Sequence, residues 1–118
     1  MRVKDGIGAY GERVAVAHLE RAGFVVLERN WRCDIGEIDI VALDGATVVV
    51  CEVKTRSGLG FGSGLEAVTP QKLARLHRLA RRWRDAAGRV GADLRVDVVA
   101  VHRRRRGEPQ IVHVRGAQ

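Results

Sequence analysis

Residues 37–56 read Glu37-Ile38-Asp39-Ile40-Val41-Ala42-Leu43, then Asp44-Gly45, then Ala46-Thr47-Val48-Val49-Val50-Cys51-Glu52-Val53-Lys54-Thr55-Arg56. Two runs rich in β-branched residues flank an Asp-Gly pair, which favours a two-residue hairpin turn. With Asp44 and Gly45 as that turn, Leu43 faces Ala46. The register then sets Val41 opposite Val48, Asp39 opposite Val50 and Glu37 opposite Glu52. Opposed residues share a face and side chains alternate along a strand. Glu37, Asp39, Glu52 and Lys54 are therefore predicted on one face, continued by Val41, Val48 and Val50 as an apolar floor.

Packing does not account for three carboxylates and an ammonium on one hairpin face. Glu37 opposite Glu52 is repulsive, since like charges directly opposed destabilise a sheet. A divalent cation relieves such repulsion, and a hard cation such as Mg²⁺ takes carboxylate oxygens while keeping waters for a phosphate-bearing substrate. The plainer alternative, a solvated hairpin with a Glu–Lys pair, leaves that repulsion in place.

Asp39 followed by Glu52-Val53-Lys54 resembles the D…(D/E)-x-K signature of the PD-(D/E)xK nuclease superfamily. Gly36-Glu37-Ile38-Asp39 and Glu52-Val53-Lys54-Thr55-Arg56 are closer still to the YraN family of small endonuclease-like bacterial proteins. Gly11-Glu12 and Arg29-Asn30 also fit that family's pattern. Ile38 stands where the superfamily's name has proline. The resemblance implies a restriction-endonuclease-like core and Mg²⁺ or Mn²⁺ held by Asp39, Glu52 and the Val53 carbonyl. It implies Lys54 as the residue that orients water and stabilises developing charge. Glu12 would complete the acidic cluster and Glu37 would support it from behind.

Composition bounds these readings. The chain has 118 residues, 46% hydrophobic and 30% charged, and is expected to form a single nuclease-like domain spanning residues 1–118. No apolar run approaches the roughly 20 residues that span a bilayer. Met1 to Asp5 lacks the apolar stretch of a signal peptide. A cytoplasmic location with no membrane partner is the expectation. Cys33 and Cys51 lack the spacing of a zinc or redox site, and both are expected to stay reduced. The net charge of +7, supplied mostly by arginine, suits phosphate contacts and counterion release.

Asp5 to Ala22 reads as a helix closed by Gly23, with Glu12 in line with Ala15, Val16 and Leu19. No residue three or four positions away pairs with Glu12, so an inward carboxylate there needs a distant partner or a metal. Phe24 to Trp31 reads as a strand, Glu28-Arg29-Asn30 as its exit, and Arg32 to Gly36 as a turn. Ser57 to Gly64 holds four glycines in eight residues and reads as a mobile loop that could order over substrate. Thr69 caps a second helix with Pro70 at its first position. Its apolar face is Leu73, Leu76, Ala80, Trp83 and Ala87, ended by Gly88. Gln71, Arg75, Arg78 and Arg82 form a separate stripe without acidic partners. Asp93 to Val101 and Ile111 to Val114 read as strands. His18, His77, His102 and His113 read as surface residues.

The order is α-β-β-β-α-β-β. A helix between the third and fourth strands calls for a parallel crossover. The expected fold class is therefore α/β, a mixed central sheet flanked by helices. The leading functional expectation is a metal-dependent endonuclease acting on structured or branched nucleic acid, DNA ahead of RNA, similar to junction-resolving nucleases. Arg56, Lys72, Arg75 and Arg78 would hold the phosphate backbone, and a two-fold homodimer would suit cutting of two strands. The alternative is a non-catalytic nucleic-acid-binding or assembly protein that keeps the fold. A protein–protein adaptor with merely solubilising arginines is a third reading.

Overall fold

The computed structural model describes residues 6–57 and 68–118. Its elements are α1 (Gly6–Arg21), β1 (Val25–Cys33), β2 (Gly36–Asp44), β3 (Thr47–Ser57), α2 (Pro70–Ala86), β4 (Leu94–Arg103) and β5 (Gln110–Val114). This is the expected order. Asp5 and the glycine-rich segment lie outside the described residues. The strands form one sheet in the order β1-β2-β3-β4-β5, antiparallel throughout except for the parallel pair β3 and β4. The fold is thus α/β with a mixed sheet. The α-β-β-β-α-β part has the expected crossover between β3 and β4, and β5 extends the edge beside β4. No helix among the described residues is long and apolar enough to cross a membrane.

Each face of the sheet carries its own core. On one, Val41, Val48, Val50 and Val96 meet Leu73, Leu76, Leu79, Ala80 and Trp83 of α2. On the other, Ile40, Ala42, Val49, Cys51, Val99 and Val101 meet Ala15 and Leu19 of α1. Covered on both faces, β3 shows a continuous apolar run from Val48 to Cys51 instead of alternation. Each fully buried Val or Leu contributes about 1.5–3 kcal/mol of transfer free energy, so the paired cores hold the strands between the helices.

Both helices close in the same way. After α1, Phe24 N–H bonds Leu19 C=O and Gly23 N–H bonds Glu20 C=O; after α2, Arg89 N–H bonds Arg84 C=O and Gly88 N–H bonds Asp85 C=O. These are Schellman pairs. At the start of α2 the Thr69 hydroxyl accepts the Lys72 N–H at 3.1 Å, as the sequence predicts. The apolar face of α2 differs from expectation. Leu79 is buried and Ala87, the C-cap, is exposed, because the helix lies flat on a broad sheet only up to Trp83.

The hairpin register also differs. Gly45 and Ala46 form the turn, with Asp44 paired to Thr47, Leu43 to Val48 and Val41 to Val50. Gly45 takes φ 60° at the first central position, where a type II′ turn requires glycine. The pairing is displaced by two residues from the one expected. An even displacement keeps odd residues of β2 on the same face as even residues of β3, so Val41, Val48 and Val50 still form one apolar floor.

β1 is longer than predicted and its exit is shorter. Glu28, Arg29 and Asn30 lie inside the strand, and only Asp34 and Ile35 separate Cys33 from its partner Gly36. Pairing shifts between Val26 and Glu28, a bulge that turns Glu28 toward α2, where its Oε1 accepts the Trp83 indole N–H at 2.9 Å. Arg82 of the α2 stripe is paired with Asp34, contrary to the expectation of no acidic partner.

The histidines are not all surface residues. Asp97, fully buried on β4, is held by Arg95 through both carboxylate oxygens at 2.8 and 3.0 Å. Its Oδ1 also accepts the Gly116 N–H, and its Oδ2 lies 2.8 Å from His113 Nε2. His113 Nδ1 in turn lies 3.0 Å from His18 Nε2 on α1. Arg95 continues the chain to Asp44 at 2.8 Å. Residues 95 positions apart share that imidazole bridge, which no local spacing could disclose.

Two predictions follow from this packing. At Gly11 the helix backbone touches β3: an added Cβ would sit 1.9 Å from Thr55 Oγ1. Gly11→Ala is expected to lower stability by about 1–3 kcal/mol through overpacking; an unchanged urea midpoint would mean that α1 and β3 do not meet so closely. The second concerns pH. Burial, then the charges of His113, Arg21 and Arg115, lowers the His18 pKa below its ordinary value. The unfolded chain then binds more protons than the folded one below about pH 6.5, so this contribution to stability is complete above that pH and declines as pH falls toward the folded pKa. Urea midpoints measured from neutral to mildly acidic pH should fall less steeply for His18→Gln than for the wild type, and equal slopes would rule His18 out as the source.

Candidate active site

The site begins where the β2–β3 ladder stops. Backbone pairing runs from Asp44–Thr47 to Ile40–Cys51. One step further the register brings Asp39 opposite Glu52, and there the Asp39 Oδ2 accepts the Val53 N–H at 2.8 Å. A side chain has replaced a backbone carbonyl as acceptor. Strand alternation breaks at the same place. Ile38 and Val41 pack on the α2 side, whereas Ile40 and Ala42 pack on the α1 side. Strict alternation would have put Ile38 with Ile40, so the irregularity falls between them, at Asp39.

A cleft of about 600 Å³ opens over this point. Its floor and walls include Glu37 and Asp39 of β2, Glu52, Val53, Lys54 and Thr55 of β3, Lys72 and Arg75 of α2, and Ile7 and Gly8 of α1. Leu76 and Leu79 close its apolar side. The α2 cap places Lys72 on the first turn, facing the strands. Lys54 Nζ and Lys72 Nζ each lie 3.7 Å from Glu52 Oε1. Burial, then the adjacent Lys72, pulls the Lys54 ammonium below the usual lysine range, while Glu52 and Asp39 oppose that shift. Glu37 lies 3.8 Å from Arg32 Nε.

Of the residues singled out in the sequence, Asp39, Glu52, Val53, Lys54, Glu37, Lys72 and Arg75 share this cleft. Arg56, at the far end of β3, and Arg78, further along α2, are exposed and do not line it. Glu12 does not line it either. It is buried one turn below Gly8, and its Oε1 accepts from Arg29 Nε and Asn30 Nδ2, each at 2.9 Å. Asn30 has φ 55°. This left-handed turn lets two consecutive strand residues reach the same carboxylate, where a regular strand would point them apart. The distant partner that Glu12 required is thus on β1. Arg29-Asn30 was visible as a motif, but its role was not, because the contact spans the helix-to-strand connection.

Among the described residues, no three His, Cys, Asp or Glu side chains gather closely enough to hold a metal by themselves. Mg²⁺ commonly needs only one or two carboxylates, completed by water and phosphate oxygens. Asp39, Glu52 and the Val53 carbonyl supply hard oxygen donors from adjoining strands, and this donor set is of the kind such a cation takes.

Comparison with known proteins gives a consistent family assignment. Three relatives called UPF0102 protein come from Beutenbergia cavernae, Kineococcus radiotolerans and Nocardioides sp.. They are 58%, 56% and 54% identical over 98%, 98% and 97% of this chain, covering 98%, 96% and 92% of their own lengths. Among solved structures, the chain is similar to Hjc, a Holliday junction resolvase of the archaeal hyperthermophile Archaeoglobus fulgidus. That match has a TM-score of 0.49 and 23% identity, and covers 88% of this chain and 74% of the other. The model of the uncharacterised protein family UPF0102 matches residues 11–101, a span that takes in the Gly11-Glu12, Gly36-to-Asp39 and Glu52-to-Arg56 motifs. The chain belongs to family UPF0102, which is the YraN family.

Proposed function

We infer that this protein is a divalent-metal-dependent endonuclease that hydrolyses phosphodiester bonds in structured or branched nucleic acid, with DNA ahead of RNA. The observation that carries the reading is the shared cleft of Asp39, Glu52 and Lys54 beneath the cationic wall of Lys72 and Arg75. Asp39, Glu52 and the Val53 carbonyl would hold Mg²⁺ or Mn²⁺. A cation held there supplies neutralisation of phosphate charge and a water more acidic than bulk.

The chain's own groups do the rest. The Val53 N–H fixes the Asp39 carboxylate by a charge-assisted bond, so that the carboxylate does not have to reorganise on binding. Lys54, emerging from the strand next to Glu52, orients the attacking water and stabilises charge developing on the phosphate. Lys72 and Arg75 bind the phosphate itself, and Arg56 and Arg78 extend that contact along the backbone, which fixes position without reading bases. Glu12, locked by Arg29 and Asn30 beneath Gly8, ties α1 to β1 below the cleft and does not join the acids that line it. Glu37 supports them from the rim. A two-fold homodimer would let two such clefts act on two strands.

One observation favours a second reading. Glu52 already has two ammonium groups at 3.7 Å, so the carboxylate is charge-balanced without a metal. A nucleic-acid-binding protein that keeps the fold but does not cleave would have the same cleft.

Thermal melts separate the two. Millimolar Mn²⁺ should raise the melting temperature of the wild type, by an amount equivalent to about 2.7 kcal/mol at a hundredfold excess over Kd. Asp39→Asn should lose the shift together with Mn²⁺-dependent cleavage of single-stranded, duplex or branched substrates. Lys54→Ala should keep the metal shift and lose roughly 10²–10³ in rate. Absence of any shift in the wild type would transfer the assignment to the non-catalytic binder. Binding should also weaken steeply with salt. Arg75→Ala with Arg78→Ala should make the slope of log K against log salt shallower by about 0.9 per lost phosphate contact on duplex DNA, and an unchanged slope would place the phosphate surface elsewhere.

A further inference from the structure

The nuclease reading leaves the most basic run of the sequence, Arg103 to Arg106, without a role. In the structure it borders a second groove, of about 640 Å³, on the other side of α1 from the cleft. Tyr10, Arg13 and Arg21 form one wall of the groove, and Pro109 and Ile111, after the basic run, form the other. The Arg103 guanidinium lies over the Tyr10 ring, 5.1 Å from its centroid. A guanidinium stacked on an aromatic face keeps its N–H edge directed outward, the edge that matches a phosphate. Arg13, Arg21 and Arg104 to Arg106 are exposed. Among the described residues, none of them is ion-paired with a carboxylate. Glu108 is the acidic group in the groove, facing several cations.

The groove and the cleft share the helix α1. Ile7 and Gly8, in the opening turn of α1, line the cleft, and Tyr10 and Arg13, in the next turn, line the groove. Tyr10 to Arg21 spans about 16 Å of helix, room for about five phosphates of one strand. We propose that this groove is a second nucleic-acid-backbone site, which takes the length of strand that runs beyond the cleft across the first turns of α1. The proposal rests on the nucleic-acid reading above and adds the substrate's extent: a strand engaging both sites is longer than one that fills the cleft alone. Cationic edges without a base-reading pocket make the contact independent of sequence.

The test compares Arg13→Gln/Arg21→Gln/Arg103→Gln with the wild type on labelled duplexes of about 8 and about 30 base pairs, over a salt series. Arg13→Glu alone, an exposed helix position, serves as a second variant in case the triple change disturbs Tyr10 packing. On the long duplex, the triple variant should bind at least tenfold more weakly at low salt, with a slope shallower by about 2–3. Arg13→Glu should act in the same direction. On the short duplex both should match the wild type, and the Mn²⁺ melting shift should be unchanged. Equal loss on both lengths, or no loss on the long one, overturns the second site while leaving the cleft reading intact. Loss confined to anionic phospholipid vesicles, with duplex binding unchanged, also overturns it. A wild type with no salt-dependent affinity for either duplex removes the nucleic-acid reading and this proposal with it.

Discussion

The hydrogen bond from Val53 N–H to Asp39 Oδ2 is the contact around which the site is arranged. It forms where β2 and β3 cease to pair through their backbones. A donor left unpaired in a buried place costs about 1–3 kcal/mol, so the strands can diverge there only if something else accepts it. The Asp39 carboxylate does so. The divergence gives the cleft its depth, and the same bond orients one of the acids that lines it. Apolar packing supports the arrangement from both sides. Ile38 packs beneath α2, Ile40 beneath α1, and the break in alternation between them aims Asp39 across at β3.

The two faces of the sheet handle charge differently. On the α2 face, the Glu52 carboxylate meets two ammonium groups at 3.7 Å beside an open cleft. On the α1 face, Asp97 is enclosed and every bond to it is short: Arg95, His113 and the Gly116 N–H lie at 2.8–3.0 Å. Those donors hold the Asp97 carboxyl below the usual range against the opposing effect of its burial. The enclosed network ties β4, β5 and the chain after β5 to the sheet. The open one is more loosely spaced.

Much of this was legible in the sequence, for reasons that differ by residue. The α/β order could be read because Thr69-Pro70, Gly88 and the Asp-Gly pair are local signals whose chemistry does not depend on the rest of the chain. Val41, Val48 and Val50 were correctly placed on one face although the turn is Gly45-Ala46 and not Asp44-Gly45, since a shift of two residues preserves the parity of side-chain directions. Asp39, Glu52 and Lys54 line one cleft although alternation breaks at Asp39. The contacts that could not be read are long-range. Glu12 meets Arg29 and Asn30 only because a left-handed Asn30 folds both toward it. His18 meets His113 only once β5 has joined the sheet beside β4. Arg82 finds Asp34 across the β1–β2 turn. Helix periodicity records which way a side chain faces, but not what waits for it there.

β3 sends Val48, Val50, Glu52 and Lys54 toward α2 and Val49, Cys51, Val53 and Thr55 toward α1. Both sets are committed, one to a core that runs into the cleft and the other to a core that runs into the tight approach at Gly11. An insertion or deletion of one residue in this strand would exchange the two sets, turning the Glu52 and Lys54 side chains toward α1 and the Val53 and Thr55 side chains toward α2. The turn at Gly45-Ala46 and the connection before β5 can change length without that exchange. A change of length is therefore tolerated in the sheet's connections and not within β3.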